Sequence, residues 1–270
     1  MSFDGCIVTQ IHIPDFDVQG QLAADYKLWM LDNSIKHLRK YNPNSFIILI
    51  GHGHSPHNST TRMCDEIIWE NKLYELDENG YVKDMPAQYK SVSLGVKAAY
   101  RNGFGHILKT RADCVHMIPN ICDYCNKILD EEKKDLLLTQ MTGLQAPKLG
   151  DCFMYGNINI LDCTWDYRNP IRNTDGLKQI GLSFLDKCGW TNDWNELLKT
   201  TCSFRDVNEL KYIDLRRNIR LLKAEDILDN NIDVDKYHWG SSNGWIKFDE
   251  NQNMIVGQDE YHSRKSFYNL

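Results

Sequence analysis

Apolar residues along the chain come in two rhythms, and their alternation predicts a layered α/β protein. CIVTQIHI, Cys6 to Ile13, is a β-rich apolar run closed by Pro14 and reads as a first strand. From Gln21 to Tyr41 the residues Leu22, Tyr26, Trp29, Met30, Ile35 and Leu38 recur at helical spacing until Asn42-Pro43 stops them. SFIILIGHG, Ser45 to Gly53, is apolar without interruption, as suits a strand buried on both faces. CDEIIWE, Cys64 to Glu70, is a third short strand. After the turn-rich LDENGYVKDMP, helical periodicity resumes over Ala87, Val92, Val96, Ala99 and Tyr100 and ends at Asn102-Gly103. His106 to Thr110 is a fourth strand, Cys122 to Lys134 an amphipathic helix, and Asp135 to Met141 a fifth strand. The order β-α-β-β-α-β-α-β predicts an α/β fold with a mostly parallel central sheet flanked by helices.

The texture changes after about Leu144. LGDCFMYGNINIL, Leu149 to Leu161, mixes glycine, aromatic and β-branched residues. Gly176 to Leu198 and Val207 to Leu228 look helical, and WIKF and MIVG near the end look like strands. This predicts a core over residues 1–165 and a C-terminal elaboration over 166–270, packed on the core.

Composition narrows the setting. With 270 residues, 42% hydrophobic and 25% charged, the chain has the make-up of a soluble globular protein. A net charge of −6 gives no bulk affinity for nucleic acid. No apolar run reaches bilayer length, and the start MSFDGCIVTQIHI has no signal-peptide pattern, so a soluble cytoplasmic protein is expected. The nine cysteines are an odd, scattered set, expected as reduced, mostly buried thiols. Cys122 and Cys125 form a C-x-x-C inside a helix, with no second pair at zinc-finger spacing.

Missing motifs exclude several chemistries. No G-x-G-x-x-G follows the first strand, no G-x-x-x-x-G-K-[ST] occurs, and no G-x-S-x-G occurs. What remains is a pocket made from strand ends. Thr9, Gln10 and His12 close the first strand, where they either bind a nucleotide or simply finish it. Arg111 and Asp113 end the fourth, in GFGHILKTRADCVH. A guanidinium suits a phosphate, and a carboxylate suits a hard cation such as Mn²⁺ or Mg²⁺, so the pair is either a diphosphate edge or a surface ion pair. Asp151, between glycine and aromatic residues, is either a general base or the opening of a strand. His52, His54 and His57 in HGHSPH offer a second chemistry, a metal-dependent hydrolase built on His52 and His54.

TQIH in strand one, the helix QYKSVSLGVKAAYRNGF, the strand HILKTRAD and the later LGDCFMYG together resemble nucleotide-sugar glycosyltransferases of the A-type fold. The texture is similar to the WavE-like lipopolysaccharide-synthesis group and to glycosyltransferases encoded by algal viruses. The resemblance runs over roughly residues 5–165 and rests on a K-x-R-x-D strand, here Lys109, Arg111 and Asp113, followed by a glycine-Asp-aromatic segment at Gly150, Asp151 and Phe153. It implies a nucleotide-diphospho-sugar transferase-like fold and an inverting hexosyl- or deoxyhexosyltransferase of polysaccharide biosynthesis. A UDP- or GDP-linked sugar would be the donor and a glycan or a lipid-linked, membrane-bound molecule the acceptor. By the same resemblance Asp151 is the base, Gln88 faces the donor, and Asp113 holds Mn²⁺ or Mg²⁺ where a D-x-D motif would end. The first Asp of that motif is replaced by Arg111, which leaves a single carboxylate for the metal. A non-catalytic nucleotide- or sugar-binding protein on the same scaffold is the other alternative.

Overall fold

The computed structural model describes residues 3–13, 21–70, 84–139, 149–168, 176–188, 194–205, 209–210, 212–214, 246–248 and 254–256. In chain order these form β1 (Cys6–Ile13), α1 (Gln21–Tyr41), β2 (Phe46–Gly53), α2 (Asn58–Thr61), β3 (Glu66–Glu70), α3 (Asp84–Arg101), β4 (His106–Arg111) and β5 (Cys114–His116). They continue as α4 (Ile121–Glu132), β6 (Leu136–Thr139), β7 (Phe153–Asn157), α5 (Ile158–Thr164), α6 (Gly176–Cys188), α7 (Trp194–Thr201), β8 (Cys202–Arg205), β9 (Tyr212–Asp214), β10 (Ile246–Phe248) and β11 (Met254–Val256).

Among the described residues, seven strands make one sheet in the order β3-β2-β1-β4-β7-β6-β8. All neighbours are parallel except β7, which runs against both β4 and β6. The fold is therefore α/β with a mostly parallel sheet, as expected, and one reversed strand. β8 belongs to this sheet although it lies beyond residue 165.

Strand alternation sends successive side chains to opposite faces. Ile7, Ile11, Ile47, Leu49 and Leu108 meet Leu31, Ile35 and Leu38 of α1 and Ile121, Cys125 and Leu129 of α4 on one face. Val8, Ile48, Ile50 and Ile107 meet Tyr89, Val92 and Val96 of α3 on the other, with Phe184 of α6 and Leu198 of α7 in the same cluster. Double coverage explains why β2 reads as an uninterrupted apolar run. α3 stops where the sequence predicts. Gly103 takes φ +84°, and the amides of Gly103 and Phe104 donate back to the carbonyls of Tyr100 and Ala99 at 2.9 and 3.2 Å.

Within the helix expected over Gly176 to Leu198, the described residues form α6 and α7, and residues 189–193 lie outside the described residues. The helix expected from Val207 is overruled at Tyr212–Asp214, which pairs antiparallel with β5. Ladder hydrogen bonds to Cys114–His116 outweigh the helical spacing there. The remainder of that expectation, to Leu228, lies outside the described residues. WIKF and MIVG form an antiparallel pair, β10 with β11.

Backbone and side chains approach closely where β1, β2 and β3 meet. A Cβ on Gly51 would collide with the Trp69 ring and stand 2.7 Å from the Ile11 carbonyl oxygen. We predict that Gly51→Ala costs about 1–3 kcal/mol, as overpacking does. Urea unfolding measures it, and an unchanged midpoint would contradict the packing described.

Candidate functional site

The carboxyl ends of β1, β2 and β4 lie side by side, and the reversed β7 begins at the same edge. Gln10 is paired with Arg111 and His12 with His52, while Thr110 faces Phe153. Asp151 precedes β7 directly, so reversing that strand brings a residue distant in sequence to the end of β4. In open α/β sheets this edge is where a crevice can form.

Arg111 is the centre of the arrangement. Its Nε and Nη2 donate to Oδ1 and Oδ2 of Asp113 at 2.9 and 2.8 Å, and its Nη1 donates to Oδ2 of Asp151 at 2.7 Å. Gln88 of α3 donates through Nε2 to the same Asp151 oxygen at 2.9 Å. Cys152 Sγ lies 3.5 Å from the other Asp151 oxygen, and the Lys109 ammonium donates to the Asp151 backbone carbonyl. The carboxylates of Asp113 and Asp151 are 4% and 14% exposed against 23% for the Arg111 side chain, so solvent reaches the cation most. Burial alone would raise the Asp151 carboxyl. Arg111 and then Lys109, with hydrogen bonds from Gln88 and Arg111, outweigh it and hold that carboxyl well below the usual carboxylate range.

Two imidazoles stand beside this group. The rings of His12 and His52 stack at 4.4 Å, and His52 Nδ1 lies 3.3 Å from the Ser91 hydroxyl of α3. Burial lowers His12 to about 3, helped by His52 and Lys27. Burial also lowers His52 to about 4, with Lys27 in the same direction and Glu70 against it. Both rings are neutral at ordinary pH.

The structure thus brings together Gln10, His12, Gln88, Arg111, Asp113 and Asp151. Thr9 is placed differently. It shares the α1 face with Ile7 and Ile11, is fully buried, and pairs in register with Thr110. The histidines of HGHSPH are dispersed: His52 stacks on His12, the His54 amide donates to the Ile13 carbonyl at 3.0 Å, and His57 Nδ1 meets Asp32 at 2.8 Å. Cys122 and Cys125 are both buried in the core with Cys6. Among the described residues, no group of three or more His, Cys, Asp or Glu side chains is arranged to hold a metal ion.

The Mn²⁺ or Mg²⁺ expected at Asp113 would meet a carboxylate already engaged by Arg111. Both Asp113 oxygens already accept from Arg111, so a divalent cation there would sit against a fixed guanidinium. Asp113 would offer such an ion one carboxylate, shared with the guanidinium, and the remaining ligands would come from phosphate and water.

Two site residues carry no clear signal in the sequence. Lys109 stands in the K-x-R-x-D strand, but nothing there shows that it is fully buried behind Asp151. Trp165 follows α5 and lies under Lys109, with the ammonium 4.3 Å from its ring centre. Only the strand order places that tryptophan at the site.

No family model matches the chain, and no curated protein matches it. Among solved structures it is similar to one described as a nucleotide-diphospho-sugar transferase from Desulfovibrio desulfuricans G20, with 10% identity over 86% of this chain and 97% of that one, at a TM-score of 0.46. A glycosyltransferase involved in glycosylation of the major capsid of PBCV-1 is similar over 83% of this chain and 97% of its own, with 8% identity and a TM-score of 0.43. A cytidylyltransferase from Leptospira borgpetersenii is similar over 84% and 93%, with 12% identity and a TM-score of 0.42. These likenesses are to the arrangement of strands and helices, and they carry no assignment of activity.

Removing the shared cation should expose the cost of the paired carboxylates. Because its folded-state pKa is depressed, Asp151 contributes stability above its unfolded value of about 4, and that contribution is lost as pH falls below it. We predict that Arg111→Met lowers stability at pH 7 by about 3–5 kcal/mol, since it leaves buried carboxylates without their partner. The deficit should shrink as pH falls below 4. Denaturant unfolding at pH 7 and at about pH 2.5 measures both, and equal deficits at the two values would count against the pairing.

Proposed function

We propose that the protein is a glycosyltransferase that moves a hexosyl or deoxyhexosyl group from a UDP- or GDP-linked donor to a glycan or lipid-linked acceptor, with inversion. One observation carries this reading. Arg111, its side chain partly exposed, stands at the carboxyl edge of a mostly parallel sheet, with Gln88 on the same carboxylate and Gln10 and the stacked His12 and His52 on neighbouring strand ends. Departure of a nucleoside diphosphate builds negative charge on the leaving phosphate, and a preorganised guanidinium stabilises that charge. Arg111 fills this role, with Gln10 and Gln88 beside it as donor-facing groups. Thr9, buried toward α1, supports the β1 backbone here rather than meeting the donor through its side chain.

Asp151 is the proposed base for the acceptor hydroxyl. While paired with Arg111 it is a weak base, since general-base efficiency peaks when the pKa lies near the working pH. When Arg111 turns its Nη1 toward a diphosphate, the carboxylate loses its strongest partner and becomes more basic. Donor binding and base activation are thereby linked through one side chain. Asp113 holds Arg111 bidentately in this reading, and it is the carboxylate that would hold Mn²⁺ or Mg²⁺ if the donor brings one. In this reading residues 166–270 contribute the acceptor side, and the protein works in the cytoplasm, where it meets a membrane-bound acceptor peripherally.

The hydrolase alternative loses its basis with His52 and His54 apart from any metal-holding group among the described residues. A binding protein without turnover remains the rival that kinetics separates. Isothermal titration with UDP and with GDP, each with Mn²⁺ and with EDTA, tests the proposal. Binding of one nucleotide in both conditions is expected, and failure of both to bind overturns it. Asp151→Asn should bind that nucleotide more tightly, because a competing anion is gone, and should transfer no sugar. Full transfer activity in Asp151→Asn would remove Asp151 from the mechanism.

A further inference from the structure

Lys109 occupies a position that the sheet would otherwise fill with an apolar side chain. It lies in β4, in register with Val8 of β1, and it shares the α3 face with Ile107. The whole residue is buried. Taking an ammonium out of water costs several kcal/mol, and a methionine of similar length would fill the same space without that cost. The charge must therefore be held by specific partners.

Those partners all lead to Asp151. The ammonium donates to the Asp151 backbone carbonyl. It rests over the Trp165 ring at 4.3 Å, a favourable seat for a desolvated cation. Trp165 is itself fixed, with Nε1 3.3 Å from Met154 Sδ and its ring 5.2 Å from that of Tyr89. On the far side of Asp151, Arg111 and Gln88 hold the carboxylate. The residue is thus gripped at both ends, by its backbone from behind and by its side chain from the front.

We propose that Lys109 is a positioning residue, whose ammonium pins the Asp151 carbonyl and so fixes where the Asp151 carboxylate stands between Arg111 and Gln88. Its effect on turnover rests on the transferase reading above; its effect on Asp151 does not. The charged and titratable groups facing it are Asp151 and Cys152 ahead of β7, Arg111 of the same strand, and Cys114 of β5. Burial lowers the Lys109 ammonium to about 8, against the upward pull of Asp151 and with a further lowering from Arg111. At neutral pH the pin is charged, and it loses its proton in mildly alkaline solution.

The test follows the Asp151 carbonyl carbon by NMR from pH 6 to pH 10. In the wild-type chain its shift should titrate with a midpoint near the Lys109 value of about 8, and in Lys109→Met it should stay flat. Hydrogen exchange at pH 7 over residues 149–155 should be about tenfold faster in Lys109→Met, the size of one lost hydrogen bond to a charged group. Lys109→Arg should keep the slow exchange. A flat wild-type titration, or unchanged exchange in Lys109→Met, overturns the proposal. Failure of UDP and GDP to bind while the carbonyl still titrates sinks the transferase reading alone. Nucleotide binding without the titration sinks the pin alone.

Discussion

Arg111 is shared between two carboxylates, and the rest of the site is arranged by that sharing. A guanidinium presents its donors in a rigid fork, so two partners engaged at once fix its plane as well as its position. Asp113 takes one side of the fork bidentately, and Asp151 takes the remaining terminal nitrogen. Two acids and two bases, Asp113, Asp151, Arg111 and Lys109, then balance at neutral pH without a metal ion. A buried ion group of this kind is tolerated only when its members are fully bonded, because any one left alone bears the full cost of desolvation. The same argument makes the group responsive. In the proposed reaction an incoming diphosphate competes with a carboxylate for Arg111, and Asp151 feels its charge.

How much of this the sequence shows depends on the kind of signal. The apolar runs at Cys6–Ile13 and Phe46–Gly53 and the glycine stop after α3 locate the first half of the fold almost residue by residue, because burial on both faces leaves a one-dimensional trace. The reversal of β7 leaves none. A strand flanked by apolar neighbours has the same composition in either direction, and only the partner register tells them apart. The helical reading of Tyr212–Asp214 fails for the same reason, since its pairing with Cys114–His116 is a contact between distant segments.

Residue types in the site were legible while their partners were not. Arg111, Asp113 and Asp151 stand out as charged groups at strand ends. That Arg111 would occupy both Asp113 oxygens, and so take the place expected for a cation, depends on side-chain geometry alone. Thr9 and Gln10 are adjacent in sequence and equally polar, yet strand alternation sends one toward α1 and the other toward Arg111. Lys109 is the sharpest case: it stands in the K-x-R-x-D strand without any sign of its burial, and it is among the most buried of the described residues.

The reversed strand has a consequence for how the protein comes into being. Asp151 reaches Arg111 across 40 residues of chain, and the contact exists only once β7 has docked against β4. Contacts so distant in sequence form late, because closing the loop costs entropy before any bond repays it. Until then Arg111 has Asp113 alone and Lys109 has no carbonyl to hold. Docking of β7 and completion of the site are therefore a single event, and a chain still emerging from synthesis cannot carry the assembled site before that strand is in place.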